Sequence, residues 1–221
     1  MKFKHCLALA AATLSLAAQA ASYDTNLIAN GGAESGASGW TAFDGYDLFQ
    51  SVSYGSNWVL PTQPGPVDRG AKMFTGVGAQ SAGFQVIDVS SLTATGAPVE
   101  YSLSGWLGGW SSQGDNALLY VSFLDITGSE IGHASIGPLS AADRGNQTGL
   151  FYRESPGLLP QGVSQVMFSL SMERLGGGDN DGYADNLSFV LTSPVPEAGS
   201  IAYTLAGLGM LGLVGRLRRR V

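Results

Sequence analysis

Three stretches of this chain alternate apolar and polar residues with a period of two. Val99, Tyr101 and Leu103 alternate with Glu100, Ser102 and Ser104. Val166, Phe168, Leu170 and Met172 alternate with Gln165, Met167, Ser169, Ser171 and Glu173, and Leu187, Phe189 and Leu191 alternate with Asn186 and Ser188. That period puts every apolar side chain on one face of a strand. Residues 117–124 are more continuously apolar, the pattern of a central strand covered on both faces. Further strands are expected at 26–29, 48–54, 84–89 and 131–136. Turn clusters such as Gly55-Ser56-Asn57 and Gly176-Gly177-Gly178 separate them, and no window of helical period exceeds two turns. The expectation is all-β: a single β-sandwich of jelly-roll type over residues 21–192.

The ends follow other rules. Lys2, Lys4 and His5 precede an apolar run over 6–18, and Ala18-Gln19-Ala20 supplies a small-x-small cleavage site. Residues 1–20 therefore read as a secretory signal peptide. At the other end, residues 193–198 (Ser193-Pro194-Val195-Pro196-Glu197-Ala198) form a stiff, proline-interrupted linker. No residue from 199 to 215 is charged, and a helix of that length reaches about 25 Å, enough for a short transmembrane helix. Arg216, Arg218, Arg219 and Arg220 follow within a basic tail over 216–221, on the side that stays cytoplasmic. Both ends imply the same topology, with the middle domain outside a bacterial inner membrane.

Charge and cysteine content narrow the function classes. Between residues 21 and 197, five basic side chains (Arg69, Lys72, Arg144, Arg153, Arg174) face seventeen acidic ones, a net charge of −12. Such a surface repels phosphate backbones, so nucleic acid is a poor partner. The lone cysteine, Cys6, lies in the leader, so a packed core rather than disulfides must hold the exported domain.

Two segments resemble known families. The order Val195-Pro196-Glu197, apolar helix, arginine cluster resembles the PEP-CTERM sorting tail of exported proteins in Gram-negative bacteria that make extracellular polysaccharide. That resemblance implies an exosortase-type sorting enzyme as a partner, with Val195, Pro196, Glu197 and Ala198 as the motif and a cell-surface or biofilm-matrix destination. Ala198 stands where the family motif has its final proline. The segment Asn26-Leu27-Ile28-Ala29-Asn30-Gly31-Gly32-Ala33-Glu34-Ser35-Gly36, with Gly39-Trp40 after it, resembles the opening of galactose-binding-like jelly rolls, many of them carbohydrate-binding modules. Tyr183-Ala184-Asp185-Asn186-Leu187-Ser188-Phe189 resembles their closing strand. The likeness implies neighbouring first and last strands, and a structural calcium beside them.

Catalytic constellations are absent from the sequence pattern. His133, the one histidine beyond the leader, sits in an expected strand with no nucleophile elbow nearby, and zinc would need more His or Cys ligands. Asp179-Asn180-Asp181-Gly182-Tyr183-Ala184-Asp185 sets hard oxygen donors at alternate positions, which suits calcium. Asp179, Asp181 and Asp185, with Glu34 implied by the jelly-roll likeness, are the candidate metal ligands; the alternative is a turn capped by its own side chains. For sugar binding, Trp110, Gln113, Asp115 and Asn116 combine an indole face with hydroxyl-fixing groups at a strand end. Trp106 is read as core, continuing the inward alternation of Tyr101 and Leu103, and Trp40 likewise.

The expected function is a non-catalytic, surface-destined protein that associates with extracellular polysaccharide. Its rivals are a structural or adhesive protein whose partner is another protein, and a hydrolase with a carboxylate pair. The tail gives a direct test. Replacing Arg218, Arg219 and Arg220 with neutral residues should abolish retention or sorting, read by cell fractionation, while the domain still folds. Unchanged localisation would remove this cluster from the sorting signal.

Overall fold

The computed structural model describes residues 21–55 and 57–193. The signal peptide, the motif from Pro194 onward, the span over 199–215 and the basic tail lie outside the described residues. Ten strands form two five-stranded sheets in which all strand pairings are antiparallel. In chain order they are β1 (Thr41–Ala42), β2 (Gln50–Ser53), β3 (Lys72–Thr75), β4 (Gln80–Asp88), β5 (Glu100–Gly109), β6 (Asn116–Leu124), β7 (Glu130–Ile136), β8 (Gly149–Leu158), β9 (Gln165–Glu173) and β10 (Tyr183–Thr192). The first sheet runs β1-β4-β9-β6-β7 and the second β2-β3-β10-β5-β8. A single helical turn, Ser90–Thr93, links β4 to β5. This is the expected β-sandwich.

The alternating residues fill the space between the sheets. Leu103 and Leu107 from β5, Phe189 and Leu191 from β10, and Phe168 and Leu170 from β9 are each fully buried. Tyr101 stacks on Phe189 at 5.4 Å, and Phe168 meets the other side of that ring at 5.3 Å. Trp40 joins Phe49 and Phe74 edge-on at 5.3 and 6.2 Å, and is core as expected.

Strand β9 matches its expected limits, and β2, β4, β6, β7 and β10 overlap theirs. Three departures stand out. β6 is not covered on both faces: Ala117, Leu119, Val121 and Phe123 are buried, whereas Leu118, Tyr120 and Leu124 on the other face are only half-buried. β1, β3 and β8 are strands the period left unmarked. Residues 26–29 are not a strand.

Instead, that segment is stitched to β10 as an irregular edge. Its contacts are a bridge between Asn26 and Val190 and main-chain bonds from Asp24 to Leu191 and from Leu27 to Phe189, both 2.8 Å. The Asn26 side chain does the work of the missing ladder. Its Nδ2 donates to the Leu187 carbonyl, and its Oδ1 accepts from the Ile28 and Phe189 amides, each at 3.0 Å. Gly31 then passes so close that a Cβ there would lie 2.1 Å from the Leu187 oxygen, which no side chain tolerates. An exposed Asn26 thus holds the closing strand. Asn26→Ala, which strands those amides and a carbonyl, should cost about 1–3 kcal/mol in urea unfolding. A change within about 0.5 kcal/mol, the norm for exposed positions, would contradict the stitch.

Candidate functional site

The outer face of the second sheet carries its own layer of structure. On β10 the residues pointing away from the sandwich core begin with Tyr183 and Asp185, yet both are fully buried. The cover is the segment between β2 and β3. Val59 from that segment packs with Met73, Leu150 and Tyr183 into a second apolar cluster. Trp58 meets Tyr183 edge-on at 6.2 Å, and the Leu150 amide donates to the Pro64 carbonyl at 2.9 Å. Polar ties complete the attachment. The Tyr54 hydroxyl donates to Asp185 Oδ2 at 2.5 Å, Asn186 Nδ2 donates to Asp68 at 3.0 Å, and Arg69 lies 5.1 Å from the centre of the Tyr54 ring.

Asn186 reaches Asp68 because β10 bulges there. Asp185 faces Trp106 and Ser188 faces Ser104, so three residues of β10 span two of β5, and Asn186 takes a left-handed φ of 46°.

The cover stops one row short of the sheet's open half. Gly108, Leu150 and Tyr183 lie beneath it, in register across β5, β8 and β10. The next row is Tyr152, Trp106 and Asp185, and the one after is Glu154, Ser104 and Ser188. Tyr152 is 45% exposed and Trp106 half-buried, their rings 5.8 Å apart and tilted by 59°. The two rings therefore form an open trough rather than a flat plate. Beside it, the Tyr152 hydroxyl donates to Glu154 Oε2 at 3.0 Å. Two aromatic rings and a polar row thus lie side by side on this part of the sheet, a shelf next to the cover. A separate open cleft of about 380 Å³ lies at the β2 edge, lined by Val52, Ser53, Tyr54, Gly55, Asn57 and Trp58.

Trp106 corrects the sequence reading. With Tyr101 and Leu103 facing inward, strict alternation sends Leu107 inward and Trp106 outward, as observed. Tyr152 and Glu154 lie on β8, where two aromatics followed by two charged residues carry no period-two signal.

The expected sugar-binding residues sit in differing surroundings. Asp115 is fully buried, and its carboxylate accepts the amides of Leu175, Gly176 and Asp181 at 2.7, 2.8 and 2.9 Å. No oxygen is left facing solvent, so Asp115 is a fastener of loops and not a ligand contact. Asn116 Nδ2 donates to the Gly114 carbonyl at 3.3 Å. Gln113 is half-buried, its main chain gripped by Arg144. That arginine, 2% exposed, also donates to the carbonyls of Ser111 and Gln147, and burial lowers its pKa from the ordinary value. Trp110 packs half-buried against the second apolar cluster.

Nor do the four proposed calcium ligands converge. Asp179 is exposed, while Asp181 is buried with Oδ1 accepting the Tyr183 hydroxyl at 2.7 Å. Both Asp185 oxygens are occupied, Oδ2 by Tyr54 and Oδ1 by the Asn186 amide at 2.8 Å. Glu34 Oε1 accepts the Ala71 and Lys72 amides at 2.8 and 2.9 Å. Among the described residues no three His, Cys, Asp or Glu side chains group as metal ligands. His133 stacks on Tyr120 at 5.2 Å on the outer face of the first sheet, with Nδ1 3.4 Å from Glu130.

The fold has known counterparts. It is similar to Family 16 Carbohydrate Binding Module-2, with 23% identity and a TM-score of 0.51 over 75% of this chain and 99% of that one. It is also similar to the enzymatically active domain of tailspike protein 4 from bacteriophage CBA120, at 16% identity and a TM-score of 0.50 over 75% of this chain. This chain spans only 21% of the tailspike chain. These likenesses establish the fold. No protein-family model matches the sequence, and no curated protein matches it.

The buried carboxyls make stability depend on pH. Burial, and after it the nearby charges of Glu34 and Asp68, push Asp185 up to about 7, against the pull of its Tyr54 and Asn186 hydrogen bonds. Asp181 is raised as well, chiefly by burial. In the window from about 4 to 7 the folded state holds a proton that the unfolded chain releases, so stability falls as pH rises through it. Asp185→Asn mimics the protonated carboxyl. Its melting temperature should vary less between pH 5 and 8 than the parent's, and should equal or exceed the parent's at pH 8. Parallel curves for the two proteins would contradict this.

Proposed function

We propose that this chain is an exported, non-catalytic protein that binds extracellular polysaccharide on the open half of its second sheet. Trp106 and Tyr152 carry the sugar rings, and Ser104, Ser188 and Glu154 fix hydroxyls. The carrying observation is the tilted, half-exposed Trp106–Tyr152 pair beside a polar row on an otherwise unoccupied sheet face. Sugar C–H faces stack on aromatic rings, while a few convergent polar groups set orientation. The shared fold with a carbohydrate-binding module supports this reading. The tail completes it: a PEP-CTERM-like motif at Val195–Ala198, an apolar span and an arginine cluster suit delivery to the cell surface or matrix through an exosortase-type enzyme.

Affinity electrophoresis of the purified chain through gels containing individual polysaccharides tests the binding face. Trp106→Ala and Tyr152→Ala should each weaken retardation by about tenfold, the scale of one lost aromatic contact. Tyr152 is exposed enough that its loss should leave the melting temperature nearly unchanged. Full retardation in both variants would move the site elsewhere. A parent that no polysaccharide retards would favour the protein-binding rival.

A further inference from the structure

The charges around the shelf go further than its rings. Glu154 stands on the exposed face of β8, two residues from Tyr152. One carboxylate oxygen takes the Tyr152 hydroxyl, and the other has no donor among the described residues. On the far side of Trp106, Asp68 is held by Asn186 at the β10 bulge, beside the position that faces the indole. The trough is therefore flanked by a carboxylate on each side.

Among the described residues no salt bridge ties either carboxylate to a cation, and the nearest arginines are turned to main-chain carbonyls. Arg69 is turned onto the Tyr54 ring and donates to the carbonyls of Pro66, Leu60 and Gln63. Arg144 is buried, and Arg174 donates to the Gly178 carbonyl. Arg153 has the opposite parity to Tyr152 and Glu154 on β8, and donates to the Tyr152 carbonyl. Lys72 belongs to β3, two strands from β5. Behind the shelf lies a domain whose acidic side chains outnumber its basic ones more than threefold. An acidic glycan entering here meets like charge at the contact and at a distance. A neutral glycan gains stacking and hydroxyl contacts only. A ring bearing an ammonium gains a charge-assisted hydrogen bond to a carboxylate already oriented by Tyr152, and the field of the whole domain steers it in.

Building on the glycan-binding reading above, we propose that this shelf selects polysaccharides carrying free amino groups. In this assignment a glucosamine-type ring rests on Trp106 and Tyr152, and its ammonium pairs with Glu154. Two residues along a strand span about 7 Å, so one sugar unit with its amino substituent bridges the rings and the carboxylate.

Isothermal titration of the purified full chain with four probes tests it: glucosamine oligomers, the matching N-acetylglucosamine oligomers, a neutral β-glucan and alginate. The glucosamine oligomers should bind about tenfold tighter than their N-acetylated counterparts, with alginate weakest. Raising salt from about 0.05 to 0.5 M should shrink that preference, because screening acts on the ion pair and spares the stacking. Glu154→Gln should bring the two amino-sugar series within about threefold of each other. Glu173→Gln, an exposed carboxylate on the other sheet, should keep the full preference.

If Glu173→Gln loses as much as Glu154→Gln, the attraction belongs to the whole acidic surface and the assignment falls. It falls equally if the parent shows no preference or if Glu154→Gln retains it. In either case a loss of binding in Trp106→Ala would leave the broader glycan reading standing. Undiminished binding of all four probes by Trp106→Ala would overturn both.

Discussion

The burial of the first residues of β10 on both faces is the constraint on which the rest of the molecule depends. Its inward residues Leu187, Phe189 and Leu191 form the middle of the sandwich core, and its outward residues Tyr183 and Asp185 lie under the segment between β2 and β3. A strand so enclosed must satisfy every polar atom it carries, because an unpaired buried group costs as much as several good contacts contribute. The phenol–carboxyl pairs Tyr54–Asp185 and Tyr183–Asp181 meet that need with side chains, and Asn26 meets it at the edge where no regular strand arrives.

Those same fastenings decide where a ligand can approach. Over Leu150, Gly108 and Tyr183 the sheet is sealed, and in the next row Asp185 is still covered by Tyr54 while Trp106 and Tyr152 open toward solvent. The bulge at Asn186, which holds Asp68, lies at this boundary. Stability and recognition thus divide a single sheet face between them. The loops at the other end of β5 fall wholly on the stability side. There, Arg144 and Asp115 gather the main chains of three inter-strand connections, supplying by hydrogen bonds what the glycine-rich sequence lacks in side chains.

Much of the fold was legible because β5, β9 and β10 each bury one face against the other sheet, and period two records that directly. β3 was illegible for the opposite reason: Met73, Phe74 and Thr75 are all fully buried, so Lys72–Thr75 carries no alternation. β8 is an edge strand whose outer row (Tyr152, Glu154, Pro156, Leu158) is exposed, and Pro156 argues against a strand unless it lies at an edge. The site suffered most. Trp106 needed only consistent parity, whereas the sequence could not show that Asp115 meets three loop amides, or that Asp181 and Asp185 each meet a tyrosine hydroxyl. A cluster of carboxylates in sequence says nothing about which donors the fold will bring to them.

The segment that replaces a regular edge strand has a mechanical meaning. Asp24 and Leu191 are hydrogen-bonded neighbours, so the entry and exit of the domain share one corner. A pull applied at the C-terminal end of β10 would therefore reach the bonds at Leu191 and Phe189 before the bulge at Asn186, so the corner where the chain enters and leaves the domain takes up the load ahead of the cover and the open shelf.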